Sequence, residues 1–173
     1  GIQYFPLESS QSCTTELCTT DADCGAGCGP CTGFGGFGFC EGFGNTDSCL
    51  TADYATPDVE IAALPGNAQA IKNSMGAHGP TGGTPTLAAL QGAIDHARAW
   101  ANLQVGHAVV VILATDGDPN SCGSDLQAIN DVASAGANGT PPILTFVIGV
   151  GGSVDALNGF AAAGGTGQAF MID

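Results

Sequence analysis

Apolar positions follow two different rhythms along this chain. Leu87, Leu90, Ile94, Ala97 and Ala101 recur at intervals of three and four, which lines one face of an α-helix. That stripe predicts a helix over Thr86–Leu103, with Gln91, Asp95 and Arg98 on its wet side. Ala108–Thr115 (AVVVILAT) and Ile143–Val150 (ILTFVIGV) are instead unbroken apolar runs rich in β-branched residues. Such runs suit parallel strands buried on both faces, so both are expected to be central strands.

Weaker signals fill the intervals. Gly1–Pro6 (GIQYFP) and Val59–Leu64 (VEIAAL) read as short strands, the second stopped by Pro65 and Gly66. Asn67–Met75 reads as a short helix capped by Asn67 and ended by Gly76. A helix is expected over Asp125–Ala135 with Ser124 as cap, another from Ser153 to about Ala163, and a last strand over Gln168–Ile172. Strands alternating with helices in this way imply an α/β fold: a doubly wound, mostly parallel sheet with helices on both faces.

The tract 7–56 breaks this order. It is rich in Cys, Gly, Asp and Phe, has no helical period, and reads as a module inserted into an α/β domain formed by 1–6 and 57–173. Seven of the eight cysteines (Cys13, Cys18, Cys24, Cys28, Cys31, Cys40 and Cys49) lie in it, and Cys122 stands alone downstream. So many cysteines favour an oxidising, extracellular compartment and a cystine framework. Because seven cannot all pair among themselves without Cys122 or a second chain, Cys122 is expected to bond to the insertion. Cys49 is the favoured partner, which would leave six cysteines as a self-contained set. Within the tract, Phe34, Phe37, Phe39 and Phe43 are set among glycines; they read either as the small core of a cystine module or as an exposed patch for a partner.

Charge narrows the partners. Sixteen acidic residues stand against two basic ones, Lys72 and Arg98, for a net charge of −14. Nucleic acids and anionic bilayers are bound chiefly through clustered Lys and Arg and would be repelled. Divalent cations and cationic partners would be attracted. No apolar run approaches the ~20 residues of a membrane span.

Candidate chemistry gathers where strands end, since ligands of open α/β sheets bind beyond the carboxyl ends of the strands. LATDGDP carries Asp116 and Asp118 from a strand into a turn, and GPTGGTPTLAAL presents Thr84 and Thr86 at the start of the striped helix. Two aspartates in a turn are common turn formers, and a threonine before a helix is a common cap. If they converge, their oxygens suit Mg²⁺, Mn²⁺ or Ca²⁺.

Other motifs lead less far. The CGPC at Cys28–Cys31 matches a thioredoxin-type dithiol, but no strand–helix context surrounds it. Cys24, Cys28, Cys31 and Cys40 have zinc-like spacing in a compartment that favours cystines. Asp21 and Asp23 read as turn formers rather than a calcium pair. Gly149, Gly151 and Gly152 lack the third glycine of a dinucleotide loop, and His78, His96 and His107 are scattered, with no catalytic triad around any of them.

The succession GIQYFP, GGTPTLAAL, VVVILATDGDP, ILTFVIGVG and LNGFAAAGGTGQAF resembles von Willebrand factor A domains, in particular the secreted, cysteine-bearing bacterial kind. The resemblance covers nearly all the chain outside the insertion. It implies a metal-ion-dependent adhesion site in which Thr84 matches the family's threonine before the third helix and Asp116 its aspartate after the fourth strand. The family's DxSxS motif, on its first strand, has no counterpart here, and the family's final helix is also missing.

That first strand lies between the second and fourth strands of the family's sheet, so a strand is expected between GIQYFP and AVVVILAT that these residues do not supply. It would come from a longer natural polypeptide or, as the lesser expectation, from another chain or cleaved segment by strand addition. Without it, Thr84 and Asp116 would hold a cation only weakly.

The expected function is extracellular binding rather than catalysis: a cell-surface or secreted module that uses the cation to accept a carboxylate from a protein ligand. A filament or surface-layer subunit assembling with copies of itself is the alternative. A hydrolase using Asp116 and Asp118 would need a nucleophile that no motif provides.

Overall fold

A computed structural model describes residues 1–8, 15–25, 28, 30–34, 37–40, 43, 47–123, 125–151 and 155–172. Its elements, in chain order, are β1 (Leu17–Cys18), α1 (Asp21–Cys24), β2 (Cys31–Phe34), β3 (Phe37–Cys40), α2 (Thr51–Tyr54), α3 (Ala68–Ala77), α4 (Thr86–Leu103), β4 (Val110–Thr115), α5 (Leu126–Ala137), β5 (Leu144–Val150), α6 (Asp155–Ala163) and β6 (Phe170–Ile172). The protein is a mixed α/β structure with a parallel sheet and a small antiparallel one.

The parallel sheet has the order β4-β5-β6, with Val110 opposite Leu144 and Ile148 opposite Phe170. Side chains alternate across it. Leu113 and Val147 point inward and pack with Leu90 and Ile94 of α4, Ile129 of α5, and Leu157 and Phe160 of α6 in one buried cluster. The stripe read from the sequence therefore faces this sheet, and α4 spans the predicted residues.

One expectation about the sheet needs correction. β4 was expected to be central, yet among the described residues it pairs only with β5 and forms an edge. Among the described residues α4, α5 and α6 pack on one face of this sheet, while Val110, Ile112, Val150, Phe170 and Ile172 on the other face are exposed, with Ile112 61% accessible. An unbroken apolar run identifies a strand without saying which of its two faces is covered, so the sequence could not register this.

Gly1–Pro6 and Val59–Leu64 likewise do not form strands. They meet at a single antiparallel bridge, Ile2 with Val59, through backbone bonds of 2.9 and 3.1 Å. Beside that bridge the side-chain carbonyl of Gln3 accepts from Asp58 N–H at 3.2 Å, and its amide donates to the Thr56 carbonyl at 2.6 Å. Element ends also shift. Asn67 makes no side-chain cap to α3, which runs on through Gly76 to Ala77. Asp125 caps α5, accepting from Gln127 N–H at 2.8 Å. Ser124, Gly152 and Ser153 lie outside the described residues.

The insertion is stapled by Cys18–Cys31 and Cys24–Cys40, and Cys49–Cys122 ties it to the α/β domain as expected. Cys28 is also disulfide-bonded, and Cys13 lies outside the described residues. Tyr54 fastens the insertion's two ends: its hydroxyl donates to the Ser48 carbonyl at 2.7 Å and accepts from Leu7 N–H at 3.2 Å. The ring is buried where α2 crosses α4 at Gly92. A Cβ there would come within 2.6 Å of the Tyr54 Cβ and of the Thr51 carbonyl, so only glycine fits.

Candidate functional site

The loop before α4 and the turn after β4 are bound to each other. Thr84 N–H donates to the Asn120 side-chain carbonyl at 2.7 Å, and Asn120 N–H donates back to the Thr84 carbonyl at 3.3 Å. The turn itself is braced by Thr115, whose hydroxyl donates to the Gly117 carbonyl at 3.0 Å and accepts from Gly117 N–H at 3.3 Å. Gly117 lies against Thr84, close enough that a Cβ on it would stand 3.4 Å from the Thr84 hydroxyl oxygen. The threonine and the aspartate turn thus occupy one place.

A third segment arrives from the insertion. The buried carboxylate of Asp47 accepts from Gly83 N–H at 2.8 Å and from the Ser121 hydroxyl at 3.3 Å, one residue from each of the paired loops. The double glycine is explained by this approach. A Cβ at Gly82, whose φ is +66°, would lie 2.4 Å from one Asp47 oxygen, and a Cβ at Gly83 would lie 2.7 Å from the other. The Cys49–Cys122 bridge closes the same junction, with α-carbons 5.1 Å apart.

Thr84, Thr115 and Asp116 line one end of a cavity of about 850 Å³. One wall is the N-terminal segment from Gly1 to Pro6, and the other is β4 from Val111 to Thr115. A second cavity of about 440 Å³ shares Gly1–Gln3, Val111 and Ile112 with it and extends toward Trp100 and His107. Together they form a cleft running along β4.

Of the four candidate ligands, the structure brings Thr84 and Asp116 to this cavity and leaves Thr86 and Asp118 off its lining. Asp116 is exposed and Thr84 half-buried. Asp118 is exposed on the turn, and Thr86 is buried in the first turn of α4 with its hydroxyl unpartnered. One hydroxyl and one carboxylate are hard oxygen donors that fit Mg²⁺, Mn²⁺ or Ca²⁺ better than softer ions. Two protein ligands leave most of a coordination shell to be filled by other oxygens. Asn120 and Asp47 escaped the sequence reading; the only signal for Asn120 was its place in a Pro-Asn turn, and Asp47 had none.

The remaining motifs resolve into structure. The sulfurs of Cys18, Cys24 and Cys40 lie within 4.8 Å of one another, but all three are in cystines and offer no thiolate. Cys31 pairs with Cys18 rather than Cys28, so CGPC is not a dithiol pair. Asp23 accepts from Thr19 N–H, the Thr19 hydroxyl and Thr20 N–H at 2.8–2.9 Å, and these bonds hold its carboxyl down to about 2. Asp21 accepts from Cys31 N–H at 2.8 Å. His78 stacks on Tyr4 with ring centres 3.9 Å apart, and His107 meets the edge of Trp100. His96 pairs with Glu60 at 2.9 Å, where Ile61 N–H first and then His96 lower the carboxyl.

Comparison with protein-family models, with curated proteins and with solved structures yields no match. No helix among the described residues is long and apolar enough to cross a membrane.

Proposed function

We propose that this chain is an extracellular binding module of the von Willebrand factor A type, with a doubly wound sheet completed by a strand laid in the cleft along β4. At the end of that cleft Thr84 and Asp116 hold a divalent cation, and the added segment or a carboxylate of a bound protein fills the rest of its shell. The observation that carries this reading is the shared cavity. It is walled by Gly1–Pro6 and β4, and it ends at Thr84 and Asp116.

A parallel strand with an unpaired edge offers backbone donors and acceptors to an extended segment. A site rich in acid with few cations draws divalent ions. Cystines suit an oxidising exterior. The alternative, self-assembly into a filament, is favoured by the open apolar face of the sheet and opposed by a charge of −14 on every copy.

Calorimetric titration with Mg²⁺ tests the cation. The native chain should bind weakly, while Asp116→Ala should bind nothing and keep the same circular dichroism. Equal heats from the two proteins would move the ion elsewhere.

A further inference from the structure

The antiparallel sheet of the insertion turns its side chains opposite to the arrangement expected of a small phenylalanine core. In β3 the order is Phe37, Gly38, Phe39, Cys40, and successive residues face opposite sides. Register places Cys18 beside Gly38 and Cys31 beside Cys40, so the inner face carries glycine and cystine. A Cβ on Gly38 would strike Cys31 Sγ at 2.8 Å. The buried cluster beneath this sheet consists of cysteines, namely Cys18, Cys24, Cys28 and Cys40. Leu17 lies opposite Phe39 on the outer face, and Leu17, Phe37 and Phe39 are 60%, 74% and 57% accessible.

These three apolar side chains thus contribute nothing to the module's interior, and they stand on a backbone pinned by two cystines. From that arrangement we infer that the Leu17–Phe37–Phe39 face docks a cationic, apolar-rich segment of another protein. Its charge selects the occupant. Residues 7–56 hold seven Asp and Glu and no Lys, Arg or His. An arginine or lysine can lie over a phenylalanine ring while its charge meets the net acidity of a module that has no cation of its own. A second copy brings the same acid, and of its two fixed cations Arg98 already donates to the Ala135 and Gly136 carbonyls. Anionic lipid is repelled for the same reason. A rigid aromatic face also loses little entropy on binding.

This face is separate from the cation site, and the test keeps the two apart. The probe is a short fluorescent peptide of alternating Arg and Leu, compared with Arg/Ser and Glu/Leu peptides by anisotropy. The Arg/Leu peptide should bind at least roughly tenfold more tightly than either control, and Phe37→Ser/Phe39→Ser should weaken it by roughly tenfold or more. Asp116→Ala should bind it as the native chain does. A non-reduced digest retaining Cys18–Cys31 and Cys24–Cys40 shows that the double variant is folded. Equal affinity for the Arg/Ser peptide, equal affinity of the double variant, or no binding of either cationic peptide would overturn the inference. So would phosphatidylcholine vesicles that bind through the two phenylalanines when the peptide does not.

Discussion

Cys49 and Cys122 stand 73 positions apart in sequence and 5.1 Å apart between α-carbons. Their bridge joins the last cysteine of the insertion to the turn that follows Asp116, two residues beyond Asn120. The insertion and the candidate cation loop are therefore one mechanical unit, linked by a covalent bond and by Asp47.

A non-reduced digest should yield Cys49 and Cys122 in one linked peptide. Removing the bridge with Cys49→Ser/Cys122→Ser should lower stability by about 4 kcal/mol in denaturant titration, because the unfolded chain gains the freedom of a long loop. Reduction should weaken cation binding before it unfolds the parallel sheet. Binding that survives reduction until the sheet melts would argue against the coupling.

Burial of Tyr54 pushes its phenol from the usual 10 up to about 12, with nearby Asp47 and Asp53 adding to the rise. A folded value above the unfolded one means the contribution to stability is complete below pH 10. It is lost as pH climbs from about 10 to about 12, where the unfolded phenol ionises first. Denaturant midpoints should fall across that window in the native chain and stay flatter in Tyr54→Phe. The variant should also lose about 1–3 kcal/mol at neutral pH, since Leu7 N–H and the Ser48 carbonyl lose their partner.

Gly92→Ala should destabilise by about 1–3 kcal/mol, contrary to the usual gain from replacing a helical glycine, because the new methyl meets Tyr54 and Thr51. Thermal unfolding checks the sign. A stabilised variant would mean that α2 does not cross α4 at this point.

What could be read from the sequence was whatever one residue's neighbours determine. The stripe from Leu87 to Ala101 set the whole length of α4, and the odd number of cysteines up to and including Cys49 pointed to Cys122 as a partner for the insertion. Thr84 and Asp116, which line one cavity, could be picked out as candidates because each sits at the end of a well-marked element. What escaped depends on contacts far apart in the chain. Nothing in FGFC says which side meets the cystines, Gln3 gives no sign that its side chain bonds Thr56 and Asp58, and Asp47 is one acid among many until Gly83 and Ser121 close on it. The exposed face of β4 was hidden for a similar reason, because Ile112 is as apolar as Leu113.

The most direct test of the cation site is a nuclear magnetic resonance titration with Mn²⁺, whose unpaired electrons broaden nearby amide signals. The account predicts that Gly83, Thr84, Asp116 and Gly117 broaden first, and that Asp116→Ala or Thr84→Ala removes the effect while the spectrum of β5 stays unchanged. Broadening centred on the acids of the insertion, or spread evenly over the acidic surface, would contradict a cation site at Thr84 and Asp116.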